Sequence, residues 1–118
     1  MAAAPDADAL EIDPERLAAW RGEDPAPQVI DVREPYEREA GHIAGTRHVE
    51  LTQLSAAAAS VQRDLPVVFY CRVGSRSLMA AQAFRASGFD AYSLRGGLVQ
   101  WVGEGHPLSP QDGYVAEH

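Results

Sequence analysis

Apolar and polar positions alternate along the chain in short blocks that punctuation residues separate cleanly. Leu10-Glu11-Ile12 reads as a short edge strand, and Asp13-Pro14-Glu15 as an N-cap followed by proline in the first turn of a helix. That helix is predicted to run to about Arg21, with Gly22 ending it. After the polar stretch Glu23–Pro27, Gln28-Val29-Ile30-Asp31-Val32 predicts a buried strand. Pro35 opens a second short helix that Gly41 closes, and an extended piece is expected around His48-Val49-Glu50. Thr52 or Ser55 is expected to cap a helix through the alanine run Ala56 to Ala59, where high helix propensity outweighs the lack of bulky apolar residues.

The clearest strand is Pro66-Val67-Val68-Phe69-Tyr70. From about Ser75 to Ser87, the positions Leu78, Ala81 and Phe84 give an amphipathic helix, with Gly88 as its left-handed cap. Ala91-Tyr92-Ser93-Leu94 is the last strand, Gly96-Gly97 a turn, and Leu98 to Val102 a short helix with Trp101 packed inward. Residues 1–9 are expected to be a flexible N-terminus, 10–108 one domain, and 109–118 a tail that is partly mobile. Strands alternating with helices predict an α/β domain, its mostly parallel sheet covered on both faces. In such sheets the site lies at the carboxyl ends of the strands, where Asp31-Val32-Arg33 and Cys71 fall.

Composition narrows the function. A chain of 118 residues with 46% apolar and 23% charged residues suits one soluble domain. A net charge of −7 argues against a nucleic-acid partner, since phosphate contacts need a basic surface. Met1 to Asp8 has neither a basic n-region nor a long apolar core, so no signal peptide or membrane anchor is read there. Cys71 is the only cysteine, which excludes an internal disulfide and a multi-thiolate zinc site; a reducing compartment, the cytoplasm, suits it.

Cys71 stands where the strand gives way to Arg72-Val73-Gly74-Ser75-Arg76-Ser77. A strand that stops at a cysteine, turns through a glycine and starts a helix aims backbone N–H groups and the positive helix end at the sulfur. Arg72 and Arg76 add positive potential, and such surroundings favour a nucleophilic thiolate. The competing reading of a lone cysteine after a buried strand is a small apolar filler. Asp31 and Arg33 have two readings as well: supports that accept loop hydrogen bonds and add positive potential, or an Asx turn with a structural ion pair.

Three ordered segments resemble the rhodanese-like family: Asp31 to Glu37 with Gly41 to Thr46, Cys71 to Ser77, and Arg95-Gly96-Gly97 followed by Trp101 and Gly105-His106-Pro107. The resemblance implies a three-layer α/β sandwich around a central, mostly parallel five-stranded sheet. It also implies a sulfurtransferase in which Cys71 carries a persulfide, the loop from Arg72 to Ser77 binds the substrate, and Asp31 and Arg33 support it. The implied partners are a small anionic sulfur donor and a thiol or cyanide acceptor, protein thiols included; no cofactor or metal is required. Similar cysteine phosphatases place arginine six positions after the cysteine, whereas Arg76 is five after, so phosphatase or arsenate reductase activity is disfavoured. Val73, Tyr36 and Glu37 stand where several thiosulfate enzymes carry basic residues, which weakens thiosulfate as the donor. Two further alternatives are a sulfur-relay or regulatory module acting with a partner protein, and a redox sensor in which Cys71 forms a sulfenic acid.

Overall fold

The computed structural model describes residues 4–6 and 8–117. Among them, β1 (Glu11–Ile12), β2 (Gln28–Asp31), β3 (Arg47–His48), β4 (Val67–Tyr70) and β5 (Ala91–Leu94) form one sheet in the order β1-β5-β4-β2-β3. Every neighbouring pair is parallel. All four residues of β4 and of β5 are buried, which is why β4 is a run of apolar residues rather than an alternation, while the buried Ser93 of β5 has its hydroxyl paired with Ser77 Oγ. The chain is thus an α/β domain with a central parallel sheet, as expected.

Helices cover both faces. On one face Ile30, Phe69 and Cys71 pack with Leu54, Ala81 and Phe84; on the other Val29, Val68 and Tyr70 pack with Leu17, Trp20, Leu98 and Trp101. The period of two along β4 therefore continues into Cys71, which lies on the face of Phe69. The first layer comes from α3 (Leu54–Ala57) and α4 (Ser75–Ala86), the second from α1 (Pro14–Trp20) and α5 (Gly97–Gly103). No helix among the described residues is long and apolar enough to cross a membrane.

Local expectations met the structure unevenly. Gly88 is left-handed at φ 92° and Trp101 is buried, as predicted. Asp13 occupies the N-cap position of α1 but makes no capping hydrogen bond; its carboxylate faces Arg95 Nε at 3.6 Å instead. The helix expected through the alanine run shrinks to the four residues of α3, flanked by 3₁₀ turns at Leu51–Gln53 and Ala58–Ser60, and neither Thr52 nor Ser55 caps it. Leu54 is the one fully buried anchor of that segment, and helices this short depend on packing more than on propensity. The extended piece pairs one residue upstream, at Arg47–His48, and its ladder continues as Val49 N–H donates to Asp31 O.

The segment α2 (Pro35–Ala40) starts with a capping box, in which Glu37 accepts the Glu34 N–H at 3.1 Å. The described part of the tail returns across α2. His42 and Ser109 form an antiparallel bridge, and Tyr114 N–H donates to Ala40 O at 2.9 Å.

Candidate active site

Parallel register brings the carboxyl ends of β2, β4 and β5 to one edge of the sheet, each followed by a segment singled out above. At the end of β4 the sulfur of Cys71 is enclosed. Gly74, at φ 105°, turns the chain into α4 and points its N–H at Sγ over 3.1 Å. Ser77 N–H reaches the same sulfur at 3.4 Å, and Ser77 Oγ lies 3.5 Å away. Ser77 is itself fixed, donating to Gly74 O at 3.2 Å and sitting 2.8 Å from Ser93 Oγ. Burial alone would suit a filler. A filler does not need two N–H groups ending on its sulfur, whereas a sulfur anion is stabilised by them.

The loop rests on α5. Leu98 N–H donates to Cys71 O at 2.9 Å and Val99 N–H to Arg72 O at 3.0 Å, so these carbonyls turn toward the start of α5 and away from the sulfur. Close approach requires Gly97: at φ 59°, a Cβ there would stand 2.5 Å from Arg72 O and 2.6 Å from Cys71 O.

The two loop arginines are used differently. Arg76 donates twice to Glu37, Nη1 to Oε1 at 2.8 Å and Nη2 to Oε2 at 2.9 Å, and Glu37 is fully buried. Burial would raise the Glu37 carboxyl, but hydrogen bonds from Arg76 and the Glu34 N–H, with the charges of Arg76 and Arg33, hold it below its ordinary value. The hydrogen bond to Glu37 in turn raises Arg76, which also feels the Cys71 sulfur. Arg72 has no ion pair among the described residues, and its Nε is buried without a hydrogen-bond partner. Of the remaining loop residues, Val73 is 45% exposed and Ser75 is exposed.

Asp31 and Arg33 form the Asx turn and ion pair of the structural reading. Asp31 Oδ1 accepts Arg33 N–H at 3.0 Å and Nε–H at 2.9 Å, and Oδ2 accepts Nη2–H at 2.8 Å. Both are fully buried, and Arg33 Nη2 also donates to Gly41 O at 2.8 Å. The side-chain hydrogen bonds Asp31 accepts come from Arg33 and Arg38, not from the Cys71 loop. Beneath this pair, Tyr70 Oη accepts Ile43 N–H at 3.2 Å and lies 2.9 Å from Thr46 Oγ1. Burial, then the Asp31 charge, push the Tyr70 phenol up to about 12 against the hydrogen bonds of Thr46 and Ile43, so it stays neutral. His42 Nδ1 and His48 Nε2 sit against the backbone carbonyls of Arg38 and Arg33.

Residues 13–104 match the family model described as the rhodanese-like domain. The chain belongs to the rhodanese-like domain family. It is 45% identical over 78 residues to protein YqhL of Bacillus subtilis (strain 168), covering 65% of this chain and 62% of that protein's length. It is 40% identical over 75 residues to thiosulfate sulfurtransferase GlpE of Pseudomonas aeruginosa, covering 63% of this chain and 68% of that one. Among solved structures, a rhodanese-related protein from Thermoplasma volcanium superposes with a TM-score of 0.73 at 28% identity, over 83% of this chain and 95% of its own. Within this rhodanese-like domain, sequence reasoning singled out Cys71 and its loop but not the work of Glu37, Ser93 or Gly97. The capping-box spacing of Glu34 and Glu37 was visible, yet it signals a helix start, not a buried partner for Arg76.

Proposed function

We propose that this chain is a sulfurtransferase that moves sulfane sulfur through a persulfide on Cys71. The observation that carries the reading is the convergence of the Gly74 and Ser77 N–H groups on the Cys71 sulfur, a donor pair preorganised for a thiolate and for the persulfide anion that follows it. The resemblance to a thiosulfate sulfurtransferase supports the same chemistry.

Transfer occurs in two steps. The Cys71 thiolate attacks the outer sulfur of the donor, forming an S–S bond as the donor's own sulfur–sulfur bond breaks; thiosulfate leaves as sulfite, a persulfide as its parent thiolate. An acceptor thiolate or cyanide then attacks the terminal sulfur, giving a new persulfide or thiocyanate and restoring the Cys71 thiolate. Cys71 is the nucleophile, and the loop from Arg72 to Ser77 binds the donor. Asp31 and Arg33 act from behind, fixing the end of β2. The lone thiol suits the cytoplasm, where it stays reduced.

Intact mass after incubation with thiosulfate, mercaptopyruvate or a small persulfide tests the proposal. Wild type is expected to gain one sulfur, lost on adding cyanide, and Cys71→Ser to gain none. A folded wild-type protein that gains no mass from any of the three donors overturns it.

A further inference from the structure

Positive charge beside Cys71 is divided unequally between the two loop arginines. Arg76 gives both terminal nitrogens to Glu37, whose carboxylate has no exposed surface and is further tied to the Glu34 N–H. An ionised carboxylate buried this completely, at hydrogen-bond distance on both oxygens, offsets most of the guanidinium charge that a ligand at the sulfur would otherwise feel. Arg33 is likewise matched by Asp31 through two parallel hydrogen bonds, and Arg38 lies 3.4 Å from the same carboxylate. Arg33 Nη1 and Arg72 Nε are both buried without a hydrogen-bond partner, but only Arg72 also lacks a carboxylate: no ion pair meets its guanidinium among the described residues. A buried donor without an acceptor in the protein is open to a water or to a ligand oxygen or sulfur.

We propose that Glu37 is a positioning residue that sets donor selectivity: by holding Arg76 in a buried ion pair it leaves Arg72 as the unmatched cation of the loop, so the site favours a small persulfide, neutral or singly charged, over the thiosulfate dianion. The proposal rests on the reading of Cys71 as the persulfide carrier. With neutral RS–SH, the Cys71 thiolate gives the Cys71 persulfide and RS⁻, and the site holds one negative charge beyond its own carboxylates throughout; an ionised RS–S⁻ adds only one more. With thiosulfate, the thiolate meets two further charges and must release a sulfite dianion. A single unmatched guanidinium suits the first case.

The test compares kcat/KM for thiosulfate and for 2-hydroxyethyl persulfide, with cyanide as acceptor, in wild type, Glu37→Gln, Glu37→Asp and the double variant Glu37→Gln/Arg76→Gln. Releasing the Arg76 charge in Glu37→Gln is expected to raise the thiosulfate-to-persulfide ratio about fivefold or more, as one added charge a few ångströms from a dianion requires at an effective dielectric of tens. The gain should appear mainly in the KM for thiosulfate and shrink as salt is raised. Glu37→Asp, which keeps the charge, and the double variant, which removes both charges, should stay near the wild-type ratio. An unchanged ratio in folded Glu37→Gln, or an equal rise in the double variant, overturns the proposal while loading of wild-type Cys71 leaves the sulfurtransferase reading intact. If Glu37→Gln does not fold, Arg72→Gln decides. Thiosulfate kcat/KM falls at least tenfold if Arg72 is the unmatched cation, and any smaller loss shows Arg76 still attracting the anion and overturns the proposal. Failure of both donors to load wild-type Cys71 would instead sink the reading on which the proposal rests.

Discussion

Replacing Gly97 by alanine should do more damage to the site than any other single methyl group added to α5. The new Cβ would stand 2.5 Å from Arg72 O, 2.6 Å from Arg72 C and 2.6 Å from Cys71 O, all backbone atoms that cannot swing aside. Reaching ordinary contact requires the start of α5 and the Cys71 loop to separate by nearly an ångström. That movement stretches the bonds from Leu98 N–H to Cys71 O, now 2.9 Å, and from Val99 N–H to Arg72 O, now 3.0 Å. Two weakened hydrogen bonds at about 1 kcal/mol each, with about 1 kcal/mol for alanine in the left-handed region, give a loss near 3 kcal/mol. For a domain of this size that lowers Tm by roughly 10 °C and leaves it folded.

The catalytic consequence is larger than the stability loss. A displacement of about 1 Å at a positioned nucleophile costs on the order of 100-fold in rate. Rapid-quench intact mass should therefore show Cys71 of Gly97→Ala gaining sulfur about 100 times more slowly than wild type, at a temperature where urea titration shows both folded. Gly103→Ala supplies the control within the same helix, since Gly103 has open space around its Cβ position and no positive φ. It is expected to load at the wild-type rate and to gain about 0.5 kcal/mol. A Gly97→Ala protein with wild-type loading and a stability loss below about 1 kcal/mol would refute the claim that α5 seats the loop.

Two further outcomes follow from the buried polar groups. Tyr70→Phe strips the Ile43 N–H and the Thr46 hydroxyl of a buried partner, so urea unfolding should show a loss of about 1–3 kcal/mol, with Cys71 loading unchanged; a loss of loading would mean that this network reaches the sulfur. Glu37, held below its ordinary value, stabilises the fold above that value and loses the contribution as pH falls through the depressed one. The stability difference between wild type and Glu37→Gln should then be full at pH 7 and shrink below about pH 4.5; a difference that stays constant to pH 3 would contradict the assignment.

What could be read from the chain, and what could not, divides along local and tertiary causes. β4 was visible because Val67, Val68, Phe69 and Tyr70 are β-formers bounded by Pro66 and a polar loop, and all four are buried. Gly74 and Gly88 announced turns that need a left-handed residue, and both adopt one. The alanine run predicts more helix than forms, because propensity decides little where Leu54 alone anchors the segment. Glu37 was invisible as a site residue: an acid in a first helical turn ordinarily faces water and complements the dipole, and only the approach of Arg76, 39 positions later, encloses it. Gly97 read as half of a turn, while its closest neighbours, Cys71 and Arg72, belong to another strand's end. The same gap hides the return of Ser109 and Tyr114 across α2, since a segment without periodicity carries no trace of where it docks.

The register of β4 ties these findings to one cause. Val67, Phe69 and Cys71 face α4, while Val68 and Tyr70 face α5, so the alternation that puts the Tyr70 hydroxyl against Ile43 and Thr46 also puts the Cys71 sulfur under the start of α4. A slip of one residue would exchange a thiol for a guanidinium at the site, and the full burial of both faces forbids it. The sulfur is then held by main-chain N–H groups of residues 74 and 77, which any side chain at positions 73 and 75 leaves in place. Val73 and Ser75 are exposed, so substitutions there can change the charge a donor meets without moving the groups that stabilise the sulfur. On the proposed mechanism, donor preference and sulfur activation are therefore separable in this loop, the first set by side chains and the second by the backbone.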